Sequence, residues 1–201
     1  MIVVIDYGVG NLFSVEKALA RFGRDVVVTG KRDLIEAADK LLLPGVGDFG
    51  ECMRCLEAAK LTDVIKECSN KGTPLLGICV GEQILFEQSE EAPGVKGLGI
   101  FRGKVKRINA PGLKVPHMGW NSVDFSRVRH PLFKGLGEHP YFYFVHSYHC
   151  VPEDSSIIAA TTDYGERLTA AVASGNVMAA QFHPEKSGDV GLQVLRNFVE
   201  M

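Results

Sequence analysis

Short, uninterrupted apolar runs alternate along this chain with stretches whose apolar positions recur every three or four residues. The run 2–5, Ile-Val-Val-Ile, breaks into Asp6-Tyr7-Gly8, as a buried strand does on entering a turn. Over 11–22, Leu12, Val15, Ala18, Leu19 and Phe22 fall on one helical stripe, and Gly23 supplies the stop. Residues 25–29 and 41–43 predict two more strands, the second ending at Pro44-Gly45. Helical patterns follow around 51–56 and 61–70, and 75–78 predicts a fourth buried strand. Continuously apolar strands joined by helices imply a parallel sheet covered on both faces.

The pattern changes in the second half. From 103 to 181 strand follows strand with turn residues between, most clearly at 104–108, 141–145, 157–161, 168–173 and 177–181. A last helix over 189–199 turns Val190, Val194, Leu195 and Phe198 inward. The charged stretch 87–99, with its Pro and Gly, predicts a surface loop rather than a linker. Without an internal repeat, 1–201 reads as a single α/β domain with a mixed, largely parallel central sheet and helices on both faces.

A chain of 201 residues buries enough surface to fold without a metal or a disulfide. Its net charge of −2, with no long run of one sign, argues against gripping a nucleic acid, which needs a concentrated basic face. No apolar run approaches the roughly 20 residues of a membrane-spanning helix, and the start lacks the basic region of a signal peptide. The five cysteines are an odd number, without the spacing of a stapled secreted fold. A reduced, cytoplasmic setting with free thiols is expected.

Two motifs lead nowhere. Gly8-Val9-Gly10 starts a dinucleotide fingerprint, but Phe13 occupies the third glycine position, and no phosphate loop exists elsewhere. Cys52 and Cys55 have the spacing of a redox pair or half a zinc site. They lie inside a helical stretch, with no second pair to complete a metal site. Neither a nucleotide cofactor nor a metal is expected.

Cys79 differs. Gly77-Ile78-Cys79-Val80-Gly81 falls where the strand 75–78 gives way to a helical pattern at 83–87, the arrangement of a nucleophile elbow with Cys in the Ser place. Glycines two positions either side let a sharp turn close and lift the sulfur to the edge of the sheet. The following helix start favours thiolate, and the Val80 amide is placed to bind an oxyanion. Such a nucleophile needs a base, and the base an orienting group. Of the six histidines, only His183 ends a strand and carries a carboxylate, Glu185, two residues on. Pro184 favours extension at His183, and positions i and i+2 of an extended segment share a side. The third piece is the glycine-rich loop 44–50, whose backbone amides are suited to a ligand. Taken singly, each piece also has a plainer reading: glycines that end a strand, a surface turn, an ordinary strand-to-helix loop.

In this order the three pieces resemble a class I glutamine amidotransferase domain, and within that class the glutaminase subunits of imidazole glycerol phosphate synthases. The likeness runs nearly end to end. It takes in Asp6-Tyr7-Gly8-Val9-Gly10-Asn11, the 44–50 loop, the Cys79 elbow, the stretch 90–97, Pro116-His117-Met118-Gly119-Trp120-Asn121, the stretch 143–148 and Gln181 to Ser187. The resemblance implies a Cys79–His183–Glu185 triad that hydrolyses L-glutamine without a cofactor. It implies an oxyanion site made by Val46 or Gly47 with Val80, and glutamine contacts from Gln83, Glu91, His146, Ser147 and Tyr148. Ammonia would pass to a separate (β/α)8 cyclase subunit in a heterodimer, with Tyr7, Asn11, Met118, Trp120 and Asn121 as candidate interface residues. Trp120, the only Trp, is either such an anchor or a core residue. The alternatives are a glutaminase of another pathway, or a non-catalytic module on the same fold; the 116–121 motif opposes the first and the intact triad the second. The chain departs from the family pattern at Glu82, where Met is usual. A carboxylate facing Cys79 would raise the thiol pKa, so Glu82 is expected to face solvent or the partner.

Overall fold

A computed structural model describes residues 1–126 and 129–201. In chain order the elements are β1 (Ile2–Ile5), α1 (Leu12–Ala20), β2 (Val26–Thr29), α2 (Arg32–Glu36), β3 (Lys40–Gly45), α3 (Phe49–Ala58), α4 (Thr62–Asn70), β4 (Leu75–Cys79) and α5 (Val80–Gln83). Then come β5 (Gln88–Ser89), β6 (Gly103–Arg107), β7 (His117–Ser122), β8 (Asp124–Phe125), β9 (Tyr141–His146), β10 (Tyr148–Pro152), β11 (Ile158–Tyr164), β12 (Glu166–Ser174), β13 (Val177–Ala180) and α6 (Gly188–Glu200).

The main sheet has eight strands in the order β2-β1-β3-β4-β13-β12-β11-β8. From β2 to β13 the neighbours are parallel; β12, β11 and β8 continue it in antiparallel pairing. The expected mixed, largely parallel sheet is therefore present. Helices α1 and α6 pack together, as do α2 and α4. The apolar runs that predicted β1, β3 and β4 are buried along their length because both faces of the sheet are covered.

Two small sheets stand beside the large one: β10-β6-β5, and the antiparallel ribbon β7-β9. Strand β9 was expected at 141–145, whereas β7, β8, β10 and α2 were not among the predicted elements. The stretch 87–99 is a loop apart from β5. After the elbow, the helix occupies Val80–Gln83, not 83–87: it starts directly at the nucleophile and ends within a turn. Among the described residues no helix is long and apolar enough to cross a membrane.

Candidate active site

Strand β4 lies between β3 and β13, so its C-terminal end is flanked by the ends of both neighbours. Cys79 is the last residue of β4 and has φ 57° and ψ −116°, a left-handed conformation rare for a residue with a side chain. The backbone is held there by close packing. A Cβ on Gly81 would stand 2.0 Å from the Leu43 carbonyl oxygen of β3, and one on Gly77 would stand 2.8 Å from the Gly81 oxygen. Both elbow glycines are thus required by the approach of strand and helix.

A cavity of about 400 Å³ opens at this point. It is lined by Val46, Gly47, Cys79, Val80, Gln83, Glu91, His146, Ser147, Tyr148 and His183, joined by Pro116, Val145 and Lys186. Every predicted triad, oxyanion and substrate residue therefore borders one space, except Glu185, which stands behind His183. The last three lining residues were not assigned a role from sequence.

His183 follows β13 and lies on the neighbour of β4. Its Nδ1 is 2.8 Å from Glu185 Oε1, with both side chains almost wholly buried. The His183 amide donates to the Tyr143 carbonyl of β9 (3.0 Å), and Ser187 Oγ closes the turn on the His183 carbonyl (2.6 Å). Burial by itself would lower the imidazole pKa. The Cys79 sulfur and the Glu185 carboxylate outweigh it and raise the ring to about 9. With Glu185 accepting at Nδ1, Nε2 is the nitrogen left to serve Cys79.

The 44–50 loop is fixed from below. Tyr7 donates from its hydroxyl to the Pro44 carbonyl (2.7 Å), Cys52 Sγ lies 3.4 Å from the Val46 carbonyl, and Asp48 caps α3 by accepting from the Glu51 amide (2.8 Å). Glu91 Oε2 accepts from the Phe49 amide (2.9 Å). Burial pushes the Glu91 carboxyl up, the Phe49 amide opposes this, and the Asp48 carboxylate adds to it. A half-buried carboxylate on the cavity wall suits a substrate ammonium.

Gln181, part of the motif Gln181 to Ser187, also reaches the nucleophile. Its Nε2 lies 3.7 Å from Cys79 Sγ, and its Oε1 accepts from Gln83 Nε2 (2.8 Å).

Three expectations need correcting. Glu82 faces neither solvent nor a partner: it is 0% exposed, because all four residues of α5 are enclosed by β3, β4, β10 and β13. Among the described residues its carboxylate oxygens make no formed hydrogen bond, and the Cys150 thiol only partly opposes the effect of burial. Burial raises its pKa well above the usual range, which disfavours a negative charge beside Cys79. Tyr7 is 4% exposed and its hydroxyl is spent on Pro44, so it props the loop rather than meeting a partner. Asn121 has its side chain committed internally, to His117, the Asp163 carbonyl and the Ser122 amide. Asn11 is half-buried and makes no side-chain cap on α1. Met118 and Trp120 are 62% and 55% exposed, which removes the core reading of Trp120.

Because an unpaired carboxyl is buried there, Glu82→Met should stabilise the fold by about 1–3 kcal/mol at neutral pH. A raised carboxyl pKa costs nothing below the unfolded value of about 4.3 and increasingly more above it. The advantage of Glu82→Met should therefore grow as pH rises from about 4, which urea unfolding across pH will check.

The family model described as "Glutamine amidotransferase class-I" matches residues 3–201. The "Imidazole glycerol phosphate synthase subunit HisH" of Syntrophotalea carbinolica is 50% identical over 209 residues, covering 100% of both chains. The subunit of the same name from Methanothermobacter thermautotrophicus is 50% identical, covering 100% of this chain and 98% of its own. Among solved structures, "Crystal structure of glutamine amidotransferase" superimposes with a TM-score of 0.77 at 24% identity, covering 100% of this chain and 98% of that one. "Structure of PurLQS from Thermotoga maritima" gives 0.77 at 22% identity, covering 99% and 97%. The matched family model and full-length relatives at half identity agree with the elbow, the paired His and carboxylate, and the cavity they share: the chain belongs to the class-I glutamine amidotransferase family.

Proposed function

We propose that the chain is the glutaminase subunit of an imidazole glycerol phosphate synthase, hydrolysing L-glutamine with Cys79, His183 and Glu185 and delivering ammonia to a (β/α)8 cyclase subunit for histidine biosynthesis. The observation that carries the reading is the single cavity in which Cys79, His183 and Glu91 meet. Glutamine enters with its ammonium toward Glu91 and its carboxamide toward Cys79. The sulfur attacks the carboxamide carbon, and the oxyanion is held by Val80 with Val46 or Gly47. His183 gives its Nε2 proton to the departing ammonia, leaving a γ-glutamyl thioester on Cys79. His183 then takes a proton from water, which attacks the thioester and releases glutamate.

The ribbon β7-β9 supports the partner reading. Met118, Trp120 and Ser122 pair with Val145, Tyr143 and Tyr141, so these residues share one face. That face exposes Met118, Trp120 and Tyr141, while Val145 and Pro116 also border the cavity. An aromatic patch beside the site that frees ammonia is where a receiving subunit fits.

The test is ammonia release from L-glutamine by the chain alone, and by its mixture with a cyclase subunit and the cyclase's nucleotide ligand. Release that rises on adding the partner is expected. None in either case overturns the reading.

A further inference from the structure

Behind the exposed face of the ribbon runs a buried line of hydrogen bonds in which every proton can be assigned. Its end is the Tyr148 carbonyl, which only accepts. His146 Nδ1, 2.8 Å away, must therefore carry a proton, leaving Nε2 as an acceptor. His117 Nδ1 lies 2.8 Å from that Nε2 and must donate to it, which leaves His117 Nε2 as an acceptor in turn. Asn121 Nδ2 fills it at 3.2 Å. The Asn121 amide cannot be reversed, since Nδ2 also donates to the Asp163 carbonyl (3.0 Å) and Oδ1 accepts from the Ser122 amide (2.9 Å).

The line continues past Tyr148. Gln83 Nε2 donates to the same carbonyl (3.1 Å) and to Gln181 Oε1 (2.8 Å), and Gln181 Nε2 faces the Cys79 sulfur. His146, Tyr148 and Gln83 all border the glutamine cavity, whereas His117 and Asn121 do not. His117 is 3% exposed and sits between the rings of Phe144 and Tyr164, with centroids 4.8 and 4.2 Å away. Packing thus fixes the plane of the ring that fixes His146.

We propose that His117 is a positioning residue for the glutamine site: its Nδ1–H locks His146, and through the shared Tyr148 carbonyl it holds Gln83 and Gln181 beside the nucleophile. The proposal rests on the glutaminase reading for its kinetic consequences, but not for its tautomers. Both rings must be neutral and both must carry the proton on Nδ1, the less favoured site in free imidazole. Burial agrees with neutrality, lowering His117 to about 4 and His146 to about 3. A second proton on either ring would set two N–H groups against each other, or against the Asn121 amide.

Two measurements on the full chain test this. ¹⁵N NMR of labelled histidines in the wild type should find His117 and His146 as Nδ1–H tautomers at neutral pH; the Nε2–H form of either overturns the proposal. In the complex with a cyclase subunit, His117→Phe keeps the ring stack and removes the donor. KM for glutamine should rise about tenfold, the size of one lost buried hydrogen bond, with a smaller change in kcat. His117→Asn, whose amide nitrogen takes the place of Nδ1, should recover most of the loss. An unchanged KM in a folded His117→Phe, or His117→Asn no better than His117→Phe, would sink the relay. Failure of the wild-type complex to release ammonia would strike the glutaminase reading instead and leave the tautomer result standing.

Discussion

Exchanging Cys79 for alanine should abolish ammonia release from glutamine in the complex, and His183→Asn should lower it by about 10²–10⁴-fold. The two losses should not multiply, because the sulfur and the imidazole act as one unit: the double variant is expected to be no slower than the slower single one. Glu185→Gln leaves a hydrogen-bonding partner at Nδ1 but removes the charge, so its loss should be smaller and its signature a pH effect. His183 titrates at about 9 in the folded chain, against the lowering effect of burial, because Cys79 and Glu185 hold its proton. The acid needed by departing ammonia is therefore present through neutral pH, and kcat/KM should fall as pH rises past about 9. Without the carboxylate the imidazole gives up its proton sooner, so the alkaline fall in Glu185→Gln should move to lower pH. A profile of kcat/KM against pH that leaves this fall in place would show that Glu185 does not stabilise the imidazolium.

Gly81→Ala should destabilise the fold by about 3 kcal/mol or more, at the upper end of what overpacking costs. The added Cβ meets the Leu43 carbonyl oxygen at 2.0 Å, with the Leu43 carbonyl carbon at 3.0 Å and the Pro44 carbonyl carbon at 3.3 Å. These are main-chain atoms of a strand paired on both sides, so no flexible group is there to give way. Relief comes only by moving the elbow off β3, which removes Cys79 from its place between the 44–50 loop and His183. Stability and turnover should fall together. Gly137→Ala is the control: its Cβ meets nothing within 4 Å, and its φ lies outside the left-handed region, so its urea midpoint should match the wild type. A normal midpoint for Gly81→Ala as well would mean that the elbow is not set by this contact.

The parallel half of the sheet was legible because strands covered on both faces must be apolar throughout, and such runs stand out. The candidate triad was legible for a related reason. A thiol on a strained turn needs small neighbours, and a base with its carboxylate at i+2 leaves a short local trace. Strand β7 left no such trace. Its inner positions hold His117, Gly119 and Asn121 and its outer positions Met118 and Trp120, so its polarity is the reverse of an ordinary half-buried strand. The inner polar residues are there because they bond to one another, a relation that exists only after folding. The same limit applies to Glu82. Helical periodicity gives a carboxylate an outer face, but α5 is too short and too enclosed to have one. Tyr7 and Asn121 were expected at a partner surface and instead bond internally, since a motif does not say which way a side chain faces.

The placement of β4 also fixes when, during synthesis, the thiol can become reactive. Its neighbour β3 precedes it, so one side of the nucleophile strand is paired early. The other side waits for β13, and Gln181, which touches the sulfur, lies 102 positions further along the chain. Until the ribosome has made that segment, Cys79 has neither its base nor its second wall. A nascent chain therefore carries Cys79 without His183 beside it until β13, the strand between β4 and β12, has been made.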